Sequence, residues 1–526
     1  MNFLPKQTRI EFLIRMADAS LARFGSIFLT IGLLPFLAFT FSSLSIRPLW
    51  NDELFTYYIG SLASLSEVWQ ALATGGEQMP YFYYIIMWNV LHWFGASEVT
   101  VRLPSFLGFL VGLSSIFFVL RRRIGPSYAA IGAMLPAATG FASYLSEGRP
   151  YGLLVGFTGL ALCAWQAAGD SKWRRPALFL LTVSLFVLPG IHYFGVLILP
   201  ILVLGEALRE RSSHAFDLAV IAVLFLAPLA SLGLNLPLLF ISAKENVGTF
   251  WASRGSLADA AYVVRVAYIS AWSAPILAMS WLVPLAIRGW LREPYSEEIR
   301  PANPLPPAEW AIAIGASLLP FLGLIVTYVV KGAFVDRYFI QMIFGVSIIT
   351  ATILSICFLP FGRNGSFAKA SAMSVAVFLA LAGWQILKEA KAKRNELAAA
   401  VDILQSDTDA SIPIVSCETH KFLELSHYAQ APIKDRLVYL SNREYASRWL
   451  GVTSVEKGMY RLVGPWFRTN VADYDQFLRD HRKFLLFCDA SGAWVHEQLA
   501  SEGWSFELRK KATLFNLFEV RKESSN

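Results

Sequence analysis

Of the 526 residues, 55% are hydrophobic and only 16% carry charge, a balance that excludes an ordinary soluble protein and makes the lipid bilayer the main solvent. The formal net charge of +7 argues little for nucleic acid, because the excess Lys and Arg lie in short loops between apolar runs, where the positive-inside rule accounts for them. The four cysteines, Cys163, Cys357, Cys417 and Cys488, are too far apart for a zinc site.

Taken in chain order, Lys6, Arg9, Arg15 and Arg23 precede an apolar run over 24–44 that is too long for a signal-peptide core, which predicts a retained first span and a cytoplasmic N-terminus. Further spans are expected at 103–120, 127–145, 150–168, 177–191, 194–208, 215–239, 263–287, 308–330, 338–360 and 371–387, about eleven in all. The segment Tyr81 to Phe94 reaches only about 20 Å of a roughly 30 Å core. As a re-entrant or interfacial helix it leaves the basic loops on one cytoplasmic side: Arg121 to Arg123, Lys172 with Arg174 and Arg175, Arg209 with Arg211, Arg288 with Arg292, and Arg363 with Lys369. The fold expected is therefore a polytopic α-helical membrane domain over 1–387, followed by a small soluble α/β domain over 388–526 on the outer side.

That second part opens on an amphipathic stretch, Lys388 to Gln405, and continues with strand patterns at Ile412 to Ser416, Leu437 to Leu440, Phe484 to Cys488 and Leu514 to Val520, and a helical one at Trp494 to Leu499. Cys417 and Cys488 both fall in it, as a disulfide or as two core thiols.

The chemistry-bearing residues gather in the outward loops. LWNDELFTYY puts Asp52 and Glu53 about one turn beyond the first span, where a carboxylate can serve as a base, although Asn51 or Asp52 is also an ordinary helix cap. Arg102 in VRLPS stands at an outer span end and suits a phosphate, or anchors the helix by snorkelling. Glu147 and Arg149 in SEGRPYGLL share a turn so short that both face one space, as site residues or as each other's partners. His192 and Tyr193 fill another outer turn, and VDRYF adds Asp336 and Arg337. Tyr81, with Trp50, Tyr57, Tyr58, Tyr83, Tyr84 and Trp88, is expected in an interfacial aromatic wall. Acidic and basic groups recurring together at these ends point to an anionic headgroup as ligand.

In the same order along Leu49 to Phe339, WNDELFTYY, MPYFYY, VRLPS, SEGRPY, HYFG and DRYF resemble the motifs of GT-C glycosyltransferases, in the branch of protein O-mannosyltransferases, aminoarabinose transferases and lipopolysaccharide sugar transferases. Gln78-Met79-Pro80 departs from many relatives, which have a basic residue or His before the prolines, and the outer loops lack Asp-x-Asp. The resemblance implies an inverting transfer from a polyprenyl-phosphate sugar to a lipid, glycan or protein hydroxyl at the outer face of the plasma membrane, with no cofactor and no divalent metal. It implies Asp52 as base with Glu53 second, Arg102, Arg149 and Arg337 at the donor phosphate, and Glu147 beside the reacting sugar or the acceptor. A transporter or flippase of lipid-linked saccharide, or an envelope polysaccharide polymerase or ligase, are the rival functions.

Overall fold

A computed structural model describes residues 33–213, 217–245, 252, 254–290, 304–329, 332–358, 366–405, 411–489, 493–512 and 514–522. Lys6, Arg9, Arg15, Arg23, the first part of the 24–44 run, Arg292 and Arg363 lie outside the described residues, as do the side chains of Arg288 and Lys369.

The helices in chain order are α1 Leu33–Ile46, α2 Asn51–Gly60 and α3 Leu65–Ala73, α4 Tyr81–Phe94 and α5 Glu98–Ile124, α6 Pro126–Met134 and α7 Tyr151–Ala168, α8 Arg174–Ile191 and α9 Ile198–Ser213, α10 Leu218–Glu245 and α11 Leu257–Trp290, α12 Pro307–Ser317 and α13 Leu319–Val329, and α14 Met342–Phe358 and α15 Ser366–Gln405. Among the described residues, four helices are long and apolar enough to cross a membrane, or seven if each bent pair is one span. The described residues do not confirm the count of eleven expected from the apolar runs. Three of the candidate spans are bent: the 127–145 run by 81° between Ala138 and Gly140, 308–330 by 59° between α12 and α13, and α1 by 73° into α2. Hydropathy registers apolar content and is blind to such bends.

Leu226, Leu229, Leu234 and Phe240 of α10 are each about 60% exposed or more, a face suited to hydrocarbon. The helix α4 does not cross the bundle. Near its start the Tyr83 hydroxyl donates to the Gly148 carbonyl (2.9 Å), and just past its end Glu98 accepts from Tyr428 of the soluble domain (3.2 Å), so both ends meet the same side.

Close backbone approach fixes the centre. A methyl on Gly152 of α7 would stand 2.0 Å from the Ser105 carbonyl of α5, and one on Gly108 would stand 2.6 Å from the Gly152 carbonyl. Small residues are what allow helices to pack this tightly in lipid, where dispersion replaces the hydrophobic drive. This crossing sets Arg102 and the Glu147–Arg149 turn side by side.

The helix α15 is continuous for 40 residues, so the Lys388 to Gln405 stretch prolongs the last apolar run. It leads into a six-stranded sheet: β1 Ile414–Ser416, β2 Leu437–Ser441, β3 Val471–Asp473, β4 Lys483–Asp489, β5 Ser505–Lys511 and β6 Phe515–Arg521, in the order β3-β2-β1-β4-β6-β5. The first four strands are parallel, with Val415 opposite both Val438 and Leu486, and β4, β6 and β5 are antiparallel. Helices cover both faces, hence the near-continuous apolar strands. Val415, Val438, Leu440 and Leu486 pack with Tyr474 and Trp494 on one face, whereas Ile414, Tyr439, Leu485 and Phe487 join the core of the membrane bundle. Cys417 and Cys488 are bonded to each other across the ends of β1 and β4, which decides between the disulfide and two free thiols.

Gly152→Ala is expected to lower stability by about 1–3 kcal/mol or more through overpacking, whereas Gly233→Ala, where a methyl meets nothing within 4 Å, is expected to be neutral. Thermal unfolding of the detergent-solubilised variants, side by side, checks this.

Candidate active site

At the end of the bundle that faces the sheet, the linker between α1 and α2 wraps around one arginine. Arg102 and Glu53 are both fully buried. The Arg102 Nε and Nη2 donate to the two Glu53 carboxylate oxygens at 2.7 and 2.6 Å, Nη1 donates to the Leu44 and Arg47 carbonyls at 2.7 and 2.6 Å, and Nη2 also reaches the Pro48 carbonyl at 2.9 Å. All five guanidinium N–H groups are thereby used. Glu53 also accepts from the Gly148 backbone N–H (2.7 Å), Arg47 Nη2 (3.1 Å) and the Trp50 backbone N–H (3.3 Å). This pair is saturated: Arg102 has no donor left for a phosphate, and Glu53 is held as a carboxylate by two cations and two backbone donors.

Above that floor the groups are more open. Asp52 lies in the first turn of α2, with Trp50 as the cap, so it is not the helix cap. Its Oδ2 stands 3.4 Å from Arg337 Nη2, and the two side chains keep 22% and 17% of their surface exposed. The Arg337 Nε donates to the Tyr151 hydroxyl at 2.8 Å, and its guanidinium lies 5.8 Å from the Tyr151 ring centre. Arg149 does not pair with Glu147. Its Nη1 donates to Glu77 Oε2 and to the Asp52 carbonyl, each at 3.1 Å, while its buried Nε has no hydrogen-bond partner among the described residues. Glu147 is buried with an unpartnered Oε1. Burial and the nearby charge of Glu53 push its carboxyl up to about 7, Asp52 adding to this while Arg47 and Arg337 oppose it.

The other expected residues divide. His192 is buried between Tyr151 and Tyr338, its Nδ1 accepting from the Phe194 N–H, and burial together with Arg149 and Arg337 lowers it to about 3, so it is a neutral wall. Tyr193 carries a buried hydroxyl with no hydrogen-bond partner among the described residues. Asp336 is exposed and accepts from the Arg337 backbone N–H at 2.7 Å, capping its own turn. Tyr81 turns away, its hydroxyl on the Leu65 carbonyl at 3.0 Å.

Glu77, Arg47 and the soluble domain were not foreseen as parts of the site. Glu77 accepts from the Gln78 and Met79 backbone N–H groups (2.8 and 3.1 Å), which aims its other oxygen at Arg149. A single Glu in a polar loop carries no signal for that. The helix α16, Thr419–Tyr428, lies on α2: the Tyr428 hydroxyl accepts from the Leu49 N–H (2.8 Å), and His427 Nδ1 meets the Tyr58 hydroxyl (3.0 Å). Phe467 stacks on Tyr58 at 4.7 Å.

Architecture and site together define a mostly helical protein, with apolar helices long enough to cross a membrane and a layered ionic site beneath a small sheet domain. Among solved structures the chain is similar to ArnT from Cupriavidus metallidurans in the apo state, with 14% identity and a TM-score of 0.55, covering 95% of this chain and 98% of that one. It is likewise similar to ArnT of that organism bound to undecaprenyl phosphate, with 14% identity and a TM-score of 0.54, covering 94% and 97% of the two chains. No family model and no curated protein sequence matches the chain.

Arg102→Ala leaves Glu53 buried without its main partner and is expected to cost about 3–5 kcal/mol, whereas Arg337→Ala, whose partner Asp52 keeps access to solvent, should cost less; denaturation in detergent compares them. Because Glu147 titrates higher in the folded protein than in the unfolded chain, its contribution is fully present below pH 4.5 and is lost as pH rises to about 7. Glu147→Gln should remove that part of the fall in melting temperature, visible as a flatter profile between pH 4.5 and 7.

Proposed function

We propose that the chain is an inverting glycosyltransferase, which moves a sugar from a polyprenyl-phosphate donor to a hydroxyl of a lipid, glycan or protein at the outer face of the cytoplasmic membrane. The observation that carries this reading is the Asp52–Arg337 pair: a carboxylate and a guanidinium, both partly open to solvent, fixed 3.4 Å apart above a closed ionic floor. The likeness in fold to an ArnT structure bound to undecaprenyl phosphate supports the donor class.

In this scheme the acceptor oxygen bonds to the anomeric carbon from the face opposite the phosphate, the carbon–oxygen bond to the phosphate breaks, and Asp52 takes the hydroxyl proton. The departing polyprenyl phosphate already carries charge at neutral pH, so it needs cations rather than a general acid. Arg337 supplies one at the mouth and Arg149 stands behind it, so the charge is met by guanidinium groups without a divalent metal. Arg102 and Glu53 act by holding α2 in place. Glu147 lies beside Asp52 and orients the acceptor.

The test is transfer by purified protein in lipid, supplied with radiolabelled polyprenyl-phosphate sugars and an envelope extract. Asp52→Asn should lower turnover by about 10²–10⁴-fold with folding unchanged, and Arg337→Ala should chiefly raise the KM for donor. No transfer from any donor, with labelled lipid crossing the bilayer instead, would make the chain a flippase.

A further inference from the structure

Arg102 and Arg122 are twenty residues apart on α5, so about 30 Å of helix separates the ionic floor from the opposite end of the bundle. There α5, α7, α9 and α12 end around an opening of about 370 Å³, whose lining includes Arg122, Arg123, Arg209, Trp165, Gln166 and Glu309. Two of the arginines are fixed from behind. Arg123 grips Glu309 through Nε (3.0 and 3.1 Å) and Nη2 (2.6 Å), with Gln166 Nε2 holding the same carboxylate at 3.1 Å. Arg209 lies 4.6 Å from the Trp165 ring centre, donates to the Trp165 carbonyl at 2.8 Å and pairs with the buried Glu206 at 2.5 Å. The Trp165 ring is itself held by its Nε1 on Glu206 at 2.7 Å. Arg122 is exposed and makes no hydrogen bond or ion pair among the described residues, and Arg123 Nη1 is likewise unused.

An acid that pins an arginine's far side fixes its direction and leaves its remaining N–H groups for a ligand, the arrangement that suits a phosphate oxygen. The surroundings say which phosphate. Phe118, Leu204 and Ile314, on three of the helices that frame the opening, are each about half exposed and stand one to two turns inside it, a surface on which acyl chains can lie. The basic loops around the opening mark this end as cytoplasmic by the positive-inside rule, where the leaflet is rich in anionic lipid. We propose that this opening binds the phosphate of an anionic phospholipid headgroup, with Arg122 and Arg123 as donors and Arg209 on Trp165 as a preformed wall. The site is separate from the transfer chemistry and does not depend on it.

The experiment uses the full chain in dodecyl maltoside micelles, with native mass spectrometry and melting temperature recorded against added phosphatidylglycerol, phosphatidylcholine or soluble glycerol 3-phosphate. Phosphatidylglycerol is expected to remain bound and to raise the melting temperature, with phosphatidylcholine much weaker. Arg122→Gln should weaken phosphatidylglycerol about tenfold, as the loss of one charge-assisted hydrogen bond predicts, and Arg211→Gln, an exposed charge at the same end outside the opening, should not. Equal binding of the two lipids, or equal weakening by both substitutions, would overturn the site in favour of diffuse surface charge. Glycerol 3-phosphate matching phosphatidylglycerol, with the same loss in Arg122→Gln, would overturn the lipid in favour of a free phosphate.

Discussion

The buried Glu53–Arg102 pair is the constraint on which the sheet-facing end of the helical bundle depends. Bringing two ions out of water costs several kcal/mol each, and their attraction offsets this only when the remaining donors and acceptors are filled. Here they are: Arg102 reaches the end of α1, the linker after it and the first turn of α2, while Glu53 takes the Gly148 N–H from the turn before α7. One ion pair thus ties together three stretches of chain far apart in sequence: residues 44–53, α5 and the turn before α7. Losing either partner would leave a bare charge in the interior and release all three.

Around that floor, the same residue types serve different ends according to how completely their hydrogen bonds are used. Arg102 is saturated and rigid, Arg149 is half committed to Glu77, and Arg337 lies at the mouth with part of its surface in solvent. The carboxylates follow a parallel order. Glu53 is caged, Glu147 is buried with an open oxygen, and Asp52 is accessible. Adjacent residues 52 and 53 thus divide, one partly open to solvent and the other wholly enclosed as a support.

Much of this was legible in the sequence. The acidic pair after the first span, the Glu147–Arg149 turn and Arg337 do converge, because each sits where an apolar run ends and helix ends at one membrane face must be neighbours. Four strands of the soluble domain announced themselves by apolar runs; β3 and β5 did not. Both are edge strands: β3 is three residues long, and β5 carries Arg509, Lys510 and Lys511, the charges that keep an edge from pairing with other chains. The pairing of Arg149 with Glu77 rather than Glu147 was beyond sequence reasoning, because it follows from backbone N–H groups fixing the Glu77 carboxylate. The bends within three of the apolar runs depend on tertiary packing as well.

The length of α15 has a further consequence. Forty residues make a rod of about 60 Å, twice the thickness of a hydrocarbon core, which leads from the last apolar run into the sheet. Leu397, Ala400 and Leu404 bury one face of that rod, and Lys421 of α16 grips Glu396 on it at 2.7 Å. Adding or deleting a single residue would swing everything beyond it by about 100°, carrying Tyr428 away from Leu49. The rod is therefore a phase-locked gauge: its number of residues sets both the reach from the bundle to the sheet and the compass bearing of the face that meets the site.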